Sequence, residues 1–324
     1  MDMVTLTHAK WLRMAYIHTI NSLYFCVFTT LICSGLISPA YATSATPSTQ
    51  PSSKFVLGDY DKEPRLNGRV DTDRLVTKLV DLNANTYMWL IAHGTNDWQD
   101  LAIFLPKAEK AGITVWVYLV PPSETPAQGS TFHYPEPFRL DYIKWAQEIA
   151  RLSLSHPNLK GYVIDDFWRN IVPSKEVHSK KFTPDYIHKM VEAGKAINPK
   201  IKFYPLMYFT HQMDDEQFIN TWSQLIDGVV AAYPANRAAV ENSLALLRKK
   251  SLPMIVMVSG DESTLERFNH VAGTPENIAA GAQAMTEMAQ DGLIEGVVTY
   301  CLDKRDGSKT FEAVKRIFGA AAKH

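Results

Sequence analysis

The stretch Gly161–Trp168 reads GYVIDDFW. Four mostly apolar residues, Gly161 to Ile164, run directly into Asp165 and Asp166, and then into Phe167 and Trp168. An apolar run of this length reads as a buried strand, where unpaired carboxylates are unfavourable. Two readings follow: an aspartate caps the helix that comes next, or the strand delivers its acids to a solvated cleft. Neighbouring residues on a strand face opposite sides. Only one aspartate can therefore follow the strand's inward face, unless the strand has already ended.

Similar runs flank this one at regular intervals. FVLGDY begins at Phe55, TYMWLIAH at Thr86, ITVWVYLV at Ile113, IKFYPLMYF at Ile201, GVVAAYP at Gly228, PMIVMVSG at Pro253 and GVVTYCL at Gly296. Together with GYVIDDF they predict eight strands. Amphipathic stretches lie between them: Leu75, Val76, Leu79 and Leu82 recur at helical spacing, as do Leu140, Ile143, Ala146 and Ile149. TPDYIHKM and TPENIAAG each place a threonine at a helix N-cap and a proline at the first helical position. Strands alternating with helices imply parallel strands joined by crossovers. Eight such units within residues 55–324 predict a single-domain α/β fold, a (β/α)8 TIM barrel. The rival, an open doubly wound sheet, lacks its Gly-x-Gly-x-x-Gly after the first strand.

Residues 1–42 read as a signal peptide. Lys10 and Arg13 precede the apolar segment Ser22–Ile37, and Ala40-Tyr41-Ala42 has the form of a cleavage site. Residues 43–54, rich in Ser, Thr and Pro, read as a flexible linker. A secreted or periplasmic protein is expected, with membrane contact only through an uncleaved leader. Cys301 is the one cysteine outside the leader, so no disulfide is expected in the barrel. The composition, 46% hydrophobic and 21% charged, is that of a globular protein. The net charge of −1 gives no basic surface for nucleic acid.

Barrel active sites lie at the carboxyl ends of the strands. There the sequence offers Asp59, His93, Asp97, Tyr118, Glu124, Asp165, Asp166, Trp168, Tyr208, His211, Tyr233 and Asp303. Carboxylates interleaved with aromatic rings suit a sugar, whose C–H face stacks on rings while its hydroxyls bond to acids. Asp165, Asp166 and Glu124 are the expected catalytic groups. Glu124 lies in a loop braced by Pro121, Pro122 and Pro126. Two carboxyl groups can supply the acid and the base or nucleophile of glycosidic cleavage. The others are expected to bind substrate, and each also has a plainer reading. Asp97 caps a helix, His93 is a satisfied histidine, Tyr118 and Tyr233 pack the barrel, and Asp303 sits in a turn. No cofactor and no metal are expected, although Asp59, His93 and Asp165 would suit a metal-assisted hydrolase. A barrel that binds carbohydrate without turnover is a further alternative. His-Glu-x-x-His and Gly-x-Ser-x-Gly motifs are absent from the sequence.

The eight-unit pattern with acids after the fourth strand resembles the secreted (β/α)8 glycoside hydrolases. The acidic pair of GYVIDDFW is similar to the one ending strand 4 in spherulin-4-like galactosaminidases, where the pair is Asp-Glu and here the second residue is Asp166. The resemblance implies an exported glycosidase acting on a polysaccharide or oligosaccharide.

Overall fold

A computed structural model describes residues 54–124, 134–171, 182–209 and 216–323. The leader, most of the linker and His211 lie outside the described residues. Eight parallel strands close into a barrel. They are β1 (Val56–Tyr60), β2 (Thr86–Ile91), β3 (Thr114–Leu119), β4 (Leu159–Ile164), β5 (Lys202–Tyr208), β6 (Val229–Ala232), β7 (Met254–Ser259) and β8 (Gly296–Tyr300). Each pairs with its sequence neighbours, and β1 pairs with β8 from Val56↔Gly296 to Tyr60↔Tyr300, which closes the ring. The fold is the expected (β/α)8 barrel.

A helix follows each strand: α1 (Thr72–Leu82), α2 (Asp97–Lys110), α3 (Tyr142–Ser155), α4 (Pro184–Lys195), α5 (Glu216–Trp222), α6 (Arg237–Lys249), α7 (Pro275–Gln290) and α8 (Lys309–Ala321). Their starts are set by side chains. Thr183 accepts from the Tyr186 amide ahead of Pro184, and Thr274 accepts from that of Asn277 ahead of Pro275. A two-stranded hairpin, Arg65–Leu66 with Arg69–Val70, follows β1. None of the described helices is long and apolar enough to cross a membrane.

Strand periodicity sorts the side chains into two cores. Between barrel and helices lie Leu57, Tyr162, Ile164, Val115, Val117 and their neighbours. Inside the barrel lie Tyr60, Trp116, Tyr118, Val163, Tyr204, Leu206 and Val298. Trp116 and Tyr204, 4.7 Å apart, fill the lower barrel. Space for them comes from Gly161 and Gly228: a Cβ on Gly161 would lie 2.6 Å from the Trp116 ring, and one on Gly228 would overlap the Tyr204 ring. The glycines are thus the small partners of a packed interior.

Candidate active site

β4 ends at Ile164, one residue before the acidic pair. Its parity decides where the first acid points. Val163 belongs to the barrel interior, whereas Tyr162 and Ile164 face the helices. Asp165, two residues beyond Val163, continues the inward side, and its amide still donates to Leu119 O at 3.0 Å. Asp166 then takes a left-handed backbone (φ 40°) and starts the 3-10 turn Phe167–Asn170. Its side chain makes no capping hydrogen bond there. The break in the strand therefore lets both acids serve the same end of the barrel.

Glu124 joins them. Ser123, the residue before it, is pinned by Asn170: Asn170 Oδ1 accepts from the Ser123 amide at 3.0 Å. Asn170 Nδ2 donates to Ser123 Oγ and to the Asp166 carbonyl, both at 2.9 Å. The buried amide of Asn170 thus ties the loop after β3 to the turn after β4. With the loop so held, Glu124 lies close enough to Asp165 and Asp166 to feel both of their charges. Burial, then the charges of Asp165 and Asp166, push Glu124 up to about 9. Burial and the Asp166 charge push Asp165 to about 7. Asp165 Oδ1 accepts the Asp166 amide at 2.7 Å. The fully buried Tyr118 hydroxyl, without a well-formed partner of its own, lies near enough to Asp165 to oppose that rise. Arg169 Nη1 is 3.6 Å from Asp166 Oδ2, and the charges of Asp165 and Asp166 are felt at Tyr208.

Five tyrosines surround Asp165. Ring centroids run from Tyr118 to Tyr60 at 4.3 Å, Tyr60 to Tyr300 at 5.2 Å, Tyr300 to Tyr233 at 5.4 Å and Tyr233 to Tyr208 at 5.9 Å. They come from β3, β1, β8, the end of β6 and β5, and β4 with Asp165 completes the circle. Burial first, and the Asp165 charge among the further causes, raise all five phenols above their ordinary range. Phe268, 40% exposed, stacks on Tyr233 at 4.6 Å and extends the aromatic arc outward. It sits in the π-helical turn Leu265–Asn269.

Other expected site residues are placed differently. On β1, Leu57 faces the helices and Tyr60 the interior, so Asp59 shares the outward side with Leu57. It is fully buried, pairs with Lys304 Nζ at 2.5 Å and accepts from Thr299 Oγ1 at 2.8 Å. That pairing ties β1 to β8. Asp97 accepts the amides of Ala92, His93 and Gly94 on Oδ2 and Arg65 Nη2 on Oδ1, which closes the turn between β2 and α2. His93 is half-exposed, with Nε2 2.6 Å from Asp61 Oδ1. Trp168 packs on Phe218 at 5.5 Å. Asp303 holds its own neighbour Arg305 through both oxygens. Among the described residues, the cluster able to hold a metal is Asp61, Glu63 and His93, without Asp59 or Asp165. Phe268 and Asn170 were not singled out from sequence, and Tyr60 and Tyr300 were read at their strand ends without a role. The two tyrosines carry a legible signal, inward parity at a strand's carboxyl end.

The segments after β3, β4 and β5 contain the undescribed stretches 125–133, 172–181 and 210–215. A cavity of about 420 Å³ is lined by Lys62, Glu63, Arg65, Asp303 and Lys304, and one of about 300 Å³ by Tyr233, Asn236, Ser259 and Asn269.

No protein-family model matches the chain, and no curated protein is similar to it in sequence. Solved structures share its fold. A β-glucuronidase from Bacteroides uniformis aligns with TM-score 0.52 and 14% identity, over 80% of this chain and 32% of that one. This chain thus spans less than a third of that enzyme. Active domain 2 of a thermostable chitinase from Pyrococcus furiosus aligns with TM-score 0.54 and 12% identity, over 86% and 99% of the two chains. Endoglucanase Cel5A from Pseudomonas stutzeri aligns with TM-score 0.53 and 11% identity, over 84% and 95%. The likeness is one of fold.

Proposed function

We propose that the protein is a glycoside hydrolase using carboxylate acid/base catalysis on a polysaccharide or oligosaccharide. The observation that carries this is the meeting of Glu124, Asp165 and Asp166 inside a circle of tyrosines at the carboxyl mouth of the barrel. Glu124 retains its proton at neutral pH and is the general acid, donating to the leaving glycosidic oxygen. The nearby charges of Asp165 and Asp166 help keep that proton on Glu124. Asp165, poised near neutrality, is the opposing base or nucleophile. The tyrosines and Phe268 offer rings for the sugar's C–H faces, and hydroxyls for its oxygens.

The names glucuronidase, chitinase and endoglucanase among structures that share the barrel support a carbohydrate substrate. The acidic pair after β4 keeps similarity to the spherulin-4-like galactosaminidases as part of this proposal. The test is incubation of the purified protein with a panel of bacterial and plant glycans, scored for new reducing ends. Release from at least one glycan is expected. Binding to a glycan array without release from any member would support a carbohydrate-binding barrel instead.

A further inference from the structure

A second cluster of ionisable side chains lies where the chain leaves β1 and β2. One donor atom each from Asp61, Glu63 and His93 lies within 4.8 Å of the other two. His93 Nε2 is 2.6 Å from Asp61 Oδ1, and the Cys301 thiol reaches the other oxygen, Oδ2, at 3.5 Å. None of the three belongs to the Glu124–Asp165–Asp166 group.

Neighbouring cations engage the two carboxylates only in part. Lys304 is paired with the buried Asp59 and meets Asp61 only at its carbonyl oxygen, 2.6 Å away. Arg65 donates to Asp97 at 2.9 Å and stands 3.7 Å from Glu63. Lys62, between the two acids in sequence, is exposed, and its charge is felt at Cys301 and Asp303.

Glu63 is the residue that points to a ligand. Its side chain is 1% exposed, and its Oε1 makes no hydrogen bond, only a 3.7 Å approach to the Arg65 guanidinium. A buried carboxyl oxygen without a hydrogen bond is unfavourable, and a cation on the Asp61–His93 side would remove that cost. We infer that Asp61, Glu63 and His93 form a binding site for one divalent transition-metal ion, of the class of Zn2+ or Mn2+. An imidazole with two carboxylates suits such ions, whereas Ca2+ favours six to eight oxygens. The half-exposed His93 leaves the site open to solvent. The site is independent of the carboxylate chemistry proposed above.

The experiment uses the full chain, treated with chelator, dialysed and titrated calorimetrically with ZnCl2 or MnCl2 alone. Metal content after desalting is measured by mass spectrometry. Wild-type protein is expected to retain one equivalent. His93→Ala and Glu63→Gln are each expected to weaken binding at least tenfold, with unchanged far-UV circular dichroism. Asp306→Asn, at a surface carboxylate outside the cluster, is expected to bind like wild type. His93 is at the surface, so its variant decides the question even if Glu63→Gln fails to fold. Absence of a one-equivalent site in wild type, or full binding by a folded His93→Ala, would overturn the assignment.

Discussion

Glu124 keeps its proton because burial and two flanking carboxylates disfavour its charged form. The fold raises its pKa from 4.5 to about 9. The stabilisation that comes with this is fully present below the unfolded value, and it is lost as pH rises through the folded one. Glu124→Gln keeps the shape of the side chain and cannot ionise. Its stability relative to wild type should therefore increase between pH 5 and 9, by up to about 1.4 kcal/mol per pH unit, in urea unfolding at several pH values. A difference that does not change with pH would contradict a Glu124 that stays protonated at neutral pH. The sequence named the acidic pair but not which member turns inward; the inward side of Val163 decides for Asp165. The same count through Leu57 sends Asp59 outward to Lys304 and Thr299. Reading only which residues end a strand cannot separate the two. Asn170 was not legible, since its bonds to Ser123 join positions 47 apart in the chain.

β4 is the element on which the site depends. Its inward side runs from Gly161, beneath the Trp116 ring, through Val163 to Asp165. A methyl group at Gly161 would strike both that ring and the Lys202 carbonyl of the neighbouring strand, so β4 or β5 would have to shift. Gly161→Ala is expected to cost about 1–3 kcal/mol, seen as a lower urea midpoint with an unchanged slope. A neutral effect would mean that the barrel floor is loosely packed. Strand and helix limits were the most legible features. The eight apolar runs became eight strands, and the Thr-Pro pairs at Thr183 and Thr274 became helix starts. The 3-10 turn after β4 and the π-helical turn bearing Phe268 were not foreseen, because neither has a periodic apolar pattern long enough to read.

At the scale of the whole molecule, closure of the barrel brings the chemistry together. Tyr60 and Tyr300 are far apart in sequence, yet the β1–β8 pairing sets them side by side, 5.2 Å between rings. The β3–β4 pairing brings Tyr118 and the loop of Glu124 to Asp165. The sequence pattern implied the ring of strands and named most of the residues at its mouth. It did not show which of them converge, because convergence depends on register and parity around the closed sheet. The central claim is that Asp165 and Glu124 perform chemistry at this mouth. The most direct measurement compares kcat/KM for wild type, Asp165→Asn and Glu124→Gln on a glycan that wild type cleaves, with melting curves and circular dichroism for each. Both variants are predicted to fold and to lose about 10²–10⁴-fold in rate. Two folded variants with wild-type rates would contradict the account.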